Sequence, residues 1–178
     1  QTTINTLQAL QEADRQYDIC LGFGNAYHSE QVKKIESVGI PTVSFRTLRH
    51  FNPVTQTGAI CEIAWYLFNN EIDILHTHST EAGIVGRCAA AIAGVPVVIH
   101  EIHGDPVNDN YPLLFNRLLT LLERSVAPIS TKIVVKSEQI RDTYLRRGIG
   151  MADQYELIYH GVDIDHYRRA NPATSPPK

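Results

Sequence analysis

Two hydrophobic periods alternate along this chain. Ile4, Leu7, Ala9 and Leu10 recur at helical spacing and predict a helix over 1–13. The apolar run 17–23 (YDICLGF) predicts a strand ending among Gly22 and Gly24. Residues 29–38 return to helical spacing, with Ser29 as N-cap and Gly39 just past the last turn. Gly39-Ile40-Pro41 turns into a strand at 42–45, and 46–53 (RTLRHFNP) reads as a polar, basic loop. A helix over 54–70 carries Ile60, Ile63, Ala64, Leu67 and Phe68 on one face. Strand 72–76, helix 81–93 and strand 96–100 follow, with Gly94 stopping the helix. Loop 105–111, helix 112–126, strand 132–135, helix 137–147 and strand 155–159 complete the pattern. The whole reads as one domain over 1–168 and a Pro-rich tail or linker over 169–178.

Alternating strands and helices predict an α/β fold with a mainly parallel sheet. The stretch 72–104 is its clearest unit: strand, Ala-rich helix, Gly-Val-Pro turn, strand. A helix crossover makes the two strands parallel neighbours. Ligands of such sheets sit beyond the carboxyl ends of the strands. His76-Thr77-His78 and His100-Glu101-Ile102-His103-Gly104 are expected on loops at that edge. A doubly wound unit normally opens strand, glycine loop, helix, whereas this sequence opens on the helix. The central first strand is therefore expected to lie outside these residues. The strand from 72 should then lack its neighbour on the side of the strand from 17.

Composition narrows the class. With 178 residues, 43% of them apolar, the chain can bury a core of its own. A net charge of −3 with dispersed Lys and Arg argues against nucleic acid as a partner. Cys20, Cys61 and Cys88 form no CxxC pair and read as buried free thiols, which suits a cytoplasmic location. No apolar run reaches the ~18–20 residues that span a bilayer.

Several residues carry candidate chemistry. His76 and His78 are two apart, so an extended backbone puts both on one face. His100, Glu101 and His103 could complete a metal site with them, although HEIH is one residue short of the zincin helix HExxH. Ser79 and Thr80 can cap the next helix, or contact a ligand together with Glu81 and the free N–H groups there. Capping explains Ser137 and Glu138. No GxSxG elbow supports a serine nucleophile. Arg46, Arg49 and His50 read as a solvated loop that could also steer an anion. The leucines Leu114, Leu118, Leu121 and Leu122 read as core packing rather than a membrane-surface stripe, since their flanks are not lysine-rich.

Four linked segments, DILHTHSTEAGIVGRCAAAIAGVPVVIHEIHG, the pair Glu123-Arg124, KIVVKSEQIRDTYLRRGI and ELIYHGVDIDHY, occur in this order. Together they resemble the N-terminal domain of glycosyltransferase family 4, retaining enzymes of the GT-B fold. The family's hinge motif NGVD is His160-Gly161-Val162-Asp163 here. The resemblance implies a Rossmann-like three-layer α/β/α domain, the acceptor-binding half of an enzyme that moves a hexose-type sugar from a nucleotide diphosphate to an acceptor hydroxyl. It implies no metal or other cofactor.

By the same resemblance His103 is the catalytic residue, placed against the transferred sugar. His78, Ser79, Thr80, Gly104, Ser137 and Glu138 bind substrate, and His76 packs beneath the cleft. The nucleotide-sugar donor belongs to a C-terminal domain outside these residues, so this half alone is expected to be inactive. The acceptor is a carbohydrate or a lipid-linked one, which brings peripheral contact with the cytoplasmic face of a membrane into the reading. Two other classes stand beside this one. A nucleotide-sugar epimerase of the same fold would use Glu101 and Asp105 as acid and base, and a non-catalytic binding domain would use neither.

Overall fold

A computed structural model describes residues 17–24, 29–48, 53–107 and 111–159. In chain order the elements are β1 (Leu21–Gly24), α1 (Ser29–Ser37), β2 (Thr42–Phe45), α2 (Pro53–Asn69), β3 (Ile74–His78) and α3 (Thr80–Ala93). They continue with β4 (Val97–Ile102), α4 (Leu113–Val126), β5 (Lys132–Val135), α5 (Glu138–Arg146) and β6 (Tyr155–Leu157). The predicted helix over 1–13, the Ser29 cap, Arg49, His50, the HGVD segment and the 169–178 tail lie outside the described residues and side chains.

Every recorded strand pair is parallel. Strands β1 and β2 form one pair, and β3-β4-β5-β6 form a second sheet in sequence order. Among the described residues β3 is an edge strand of its sheet. Right-handed crossovers between successive neighbours carry their helices to one face of a sheet. Strand parity shows which face. Gly22 and Gly24 pair with Val43 and Phe45, and these apolar side chains join α2 in one core. Leu21, of opposite parity, packs with Ile35 of α1 and with Ile40. Helices α1 and α2 therefore cover opposite faces, giving the three-layer α/β/α arrangement.

Small residues set how closely α3 lies on its sheet. A Cβ on Gly86 would come within 2.7 Å of Thr77 Cγ2, and one on Gly83 would run into the His100 ring. Glycine costs a helix interior about 1 kcal/mol relative to alanine. Here it lets the helix seat against Thr77 and His100, whose Oγ1 and Nδ1 lie 2.9 Å apart. The next turn of α3 buries Arg87 completely. Its Nε donates to Gly83 O at 2.9 Å and its NH2 to Glu123 Oε2 of α4 at 2.7 Å, pinning the two helices together.

Some expectations need correction. The first strand is the four residues Leu21–Gly24, and residues 17–20 carry no ladder. Phe68 is 71% exposed, while Ile63, Ala64 and Leu67 of the same helix are buried. The cysteines are free but not buried: Cys20 and Cys61 are exposed and Cys88 is half-buried. The leucine stripe is not core. Leu114 is 80% exposed, Leu118 and Leu121 are exposed, and the helix is held instead by Leu119, Glu123 and Val126. No described helix is long and apolar enough to cross a membrane.

Candidate functional site

Strands β3 and β4 extend further than their apolar runs suggest, which moves the histidines off the expected loops. His76, Thr77 and His78 lie within β3, and His100 and Glu101 within β4. The register pairs Thr77 with His100 and His78 with Glu101. Thr77 and His100 point at α3, so the alternate residues His76, His78 and Glu101 share the other face. His100 is thereby removed from any cluster with them. The predicted common face for His76 and His78 holds, with ring centroids 4.3 Å apart.

One carboxylate organises the group. Glu101 Oε2 lies 3.2 Å from His76 Nε2 and 3.7 Å from His78 Nδ1. Glu101 Oε1 lies 2.8 Å from Lys136 Nζ and 3.7 Å from His103 Nδ1. The carboxylate is 4% exposed, so it sits below its partners rather than in solvent. Burial alone would raise its pKa; the contacts from His76 and Lys136, with the nearby His78 and Lys136 charges, outweigh that and hold it well below the usual carboxylate range. His103, one residue past β4, stacks on His78 with centroids 5.4 Å apart, and its Nε2 is 3.2 Å from His78 Nδ1. One of those nitrogens donates and the other accepts. A side chain added at Gly104 would meet nothing within 4 Å, so the backbone beyond His103 faces open space.

The remaining predicted residues divide. Ser79 joins β3 to α3 at φ 64° and ψ 160°, a region that glycine alone ordinarily occupies. Its side chain makes no capping bond, which overturns the capping reading for Ser79, and Thr80 is the first helical residue rather than a cap. Such strain costs on the order of 1–3 kcal/mol and collects at ligand-binding positions. Ser137 does cap α5, its Oγ accepting from Ile140 N at 3.3 Å, with Glu138 exposed in the first turn. Arg46 and Thr47 donate their N–H groups to Glu62 of α2, so part of the basic loop is tied down.

Two partners escaped the sequence reading. Lys136 was hidden at the end of an apolar strand; a lone ammonium closing KIVV beside a buried glutamate on the next strand was the available signal. Arg147 grips Asp105 with both guanidinium nitrogens, at 2.6 and 2.9 Å, and Asp105 also accepts from Val107 N at 3.0 Å. That clasp holds the loop carrying His103 and Gly104. Asp105 is thus tied to holding this loop, and the Glu101 carboxylate to its imidazole and ammonium partners.

His76, His78 and Glu101 offer ligand atoms within 4.8 Å of one another. A divalent cation there would compete with the Lys136 ammonium for the same carboxylate. Lys136 and Glu101 offset each other's charge and His78 is held neutral at neutral pH, so the set presents hydrogen-bonding imidazoles at the sheet edge.

Acid should weaken this fold early. Burial, then the neighbouring His76, pushes His78 down to about 4. Burial, then Arg87, pushes His100 well below its ordinary 6.5. An unfolded chain protonates both near pH 6.5 while the folded one resists, so stability is full above that pH and falls as pH drops toward the folded values. Glu101, depressed in the fold, adds a loss in the same direction below about 4.5. Urea unfolding at pH 5 against pH 7 should show a loss of stability, on the order of 2 kcal/mol from His78 alone, with that part removed in His78→Asn. Equal midpoints at the two pH values would refute neutral His78 and His100 in the fold.

The sequence model of Glycosyltransferase Family 4 matches residues 1–166. The Escherichia coli protein UDP-Gal:alpha-D-GlcNAc-diphosphoundecaprenol alpha-1,3-galactosyltransferase is 25% identical over 122 residues, 68% of this chain and 32% of that protein. The crystal structure of Anabaena Alr3699/HepE in complex with UDP and glucose shares the fold, with a TM-score of 0.66 and 19% identity, over 92% of this chain and 42% of that one. The chain thus spans about a third of the curated relative and under half of the solved structure. With the family pattern running through the strands, the helices and the histidine edge alike, this chain belongs to glycosyltransferase family 4.

Proposed function

We propose that this chain is the acceptor-side half of a retaining, metal-independent glycosyltransferase. The cluster of His78, His103 and Lys136 around Glu101, at the carboxyl edge of the sheet, carries the reading. Glu101 and Arg147 hold His103 in place, the first from beneath and the second through Asp105. An incoming sugar hydroxyl takes over one imidazole contact of the His78–His103 pair, and His103 then hydrogen-bonds the hexose where charge develops. Strained, exposed Ser79, the Thr80 end of α3 and open Gly104 supply the surrounding acceptor surface. Ser137 and Glu138, at the start of α5 just past the end of β5, frame the same edge.

The nucleotide diphosphate sugar, held by a second domain, is the donor, and its leaving group is stabilised there. The E. coli relative is named for a diphosphoundecaprenol-linked acceptor. We take a lipid-linked acceptor as the partner here too, met at the cytoplasmic face of a membrane.

The test is an assay of the whole protein with a panel of UDP-hexoses and diphosphoundecaprenol-linked N-acetylglucosamine. Transfer should persist in EDTA with anomeric configuration kept, and the 178-residue chain alone should transfer nothing. Activity abolished by EDTA and restored by zinc would replace this reading with a metal-dependent one.

A further inference from the structure

His78 and His103 meet through unlike nitrogens: Nδ1 of His78 lies 3.2 Å from Nε2 of His103. Two arrangements of protons satisfy that contact when both rings are neutral. In one, His78 carries its proton on Nδ1 and donates to a bare His103 Nε2. In the other, His103 carries its proton on Nε2 and donates to a bare His78 Nδ1. The Glu101 carboxylate separates the two. Its Oε2 lies 3.7 Å from His78 Nδ1 and its Oε1 lies 3.7 Å from His103 Nδ1. In the second arrangement both Nδ1 atoms turn lone pairs toward a buried anion. In the first, both turn N–H groups toward it. These separations exceed a hydrogen bond, so the preference is one of charge and dipole. Water screens it little, because the carboxylate is 4% exposed. Burial also keeps His78 neutral, its pKa pushed down to about 4. Lys136 acts through the same carboxylate: its ammonium lies 2.8 Å from Oε1 and offsets the cost of burying that charge.

We propose that the Glu101–Lys136 pair fixes His78 and His103 as Nδ1–H tautomers, which leaves His103 Nε2 to accept a hydrogen bond from a sugar hydroxyl. Glu101 and Lys136 are then positioning residues, setting the direction of a contact that His103 makes. A ring or ether oxygen, which can only accept, cannot fill that lone pair; a hydroxyl can. The second half of the proposal rests on the transferase reading, whereas the tautomers do not.

Long-range proton–nitrogen correlation spectra of the whole protein, with its histidines labelled with nitrogen-15, report the tautomers at pH 8. The signals lost in His78→Asn and in His103→Asn assign the two rings. Both should show a protonated Nδ1 and a bare Nε2, the reverse of the form that neutral histidine favours in water. Glu101→Gln keeps the shape and removes the charge, so at least one ring should move its proton to Nε2. Lys136→Arg should keep the parent pattern and Lys136→Met should lose it. In the transfer assay Glu101→Gln should lower kcat about 10- to 100-fold with a smaller change in KM, and Lys136→Arg should hold turnover where Lys136→Met does not. If Glu101→Gln unfolds, the two Lys136 variants decide. Parent rings protonated on Nε2, or a parent pattern unchanged in both Glu101→Gln and Lys136→Met, overturns the proposal. Nδ1–H rings in a whole protein that transfers nothing would keep the role of Glu101 and reject the transferase reading. Transfer by a protein whose rings carry their protons on Nε2 would do the opposite.

Discussion

Replacing Arg87 with alanine is expected to destabilise the fold by about 3–5 kcal/mol, the usual cost of stranding one member of a buried ion pair. Arg87 is fully buried and its partner Glu123 is 2% exposed, so water cannot take over either charge. The variant leaves a carboxylate under α3 and opens a void between α3 and α4. The thermal midpoint should fall by roughly 10 °C for a chain of this size. The double variant Arg87→Met/Glu123→Leu should recover most of that loss, because apolar side chains of similar volume replace buried ion pairs at little cost. An unchanged midpoint in Arg87→Ala would show that the pair is solvated in solution. Failure of the double variant to recover would mean that the Arg87 bond to Gly83 O matters more than the charge.

In the whole protein, His103→Ala is expected to lower turnover by roughly 10²-fold or more, the range for a group that donates to or accepts from a reacting centre. The imidazole lies past the end of β4, 34% exposed, with open space beyond Gly104. Removing it takes nothing from either main core, so the fold should survive. The damage should fall on kcat more than on KM if the contact tightens as charge develops. Steady-state kinetics beside thermal unfolding separates the cases. Near-normal turnover removes His103 from the mechanism, and a matching loss of fold makes it structural.

The two variants differ in how visible their residues are in the sequence. His103 lies in HEIHG, next to a glycine at a strand end, where the parallel-sheet rule already places ligands. Arg87 sits in an Ala-rich helical run, where a charge normally marks the wet face; it is buried because Glu123, 36 residues away, meets it. The leucines of α4 mislead in the opposite sense. Helical spacing of leucines identifies an apolar face, but the face that packs here is that of Leu119, Glu123 and Val126. Lys136 and Glu101 were likewise separate observations until neighbouring strands brought them to 2.8 Å.

The alternation of strands and helices, the parallel βαβ unit, the stops at Gly39 and Gly94 and the common face of His76 and His78 are legible in the order of residues alone. These depend on backbone periods of 3.6 and 2 and on the conformational limits of a few residues, all local in the chain. Long-range packing set the rest: β3 and β4 run on through their histidines, and His100 turns away beneath Gly83 while Glu101 collects His76, His78, His103 and Lys136. It also decided that α4 shows leucines to the outside. Those outcomes depend on strand register and on which helix lies over which strand, and side chains tens of residues apart set them through close packing and desolvated charge.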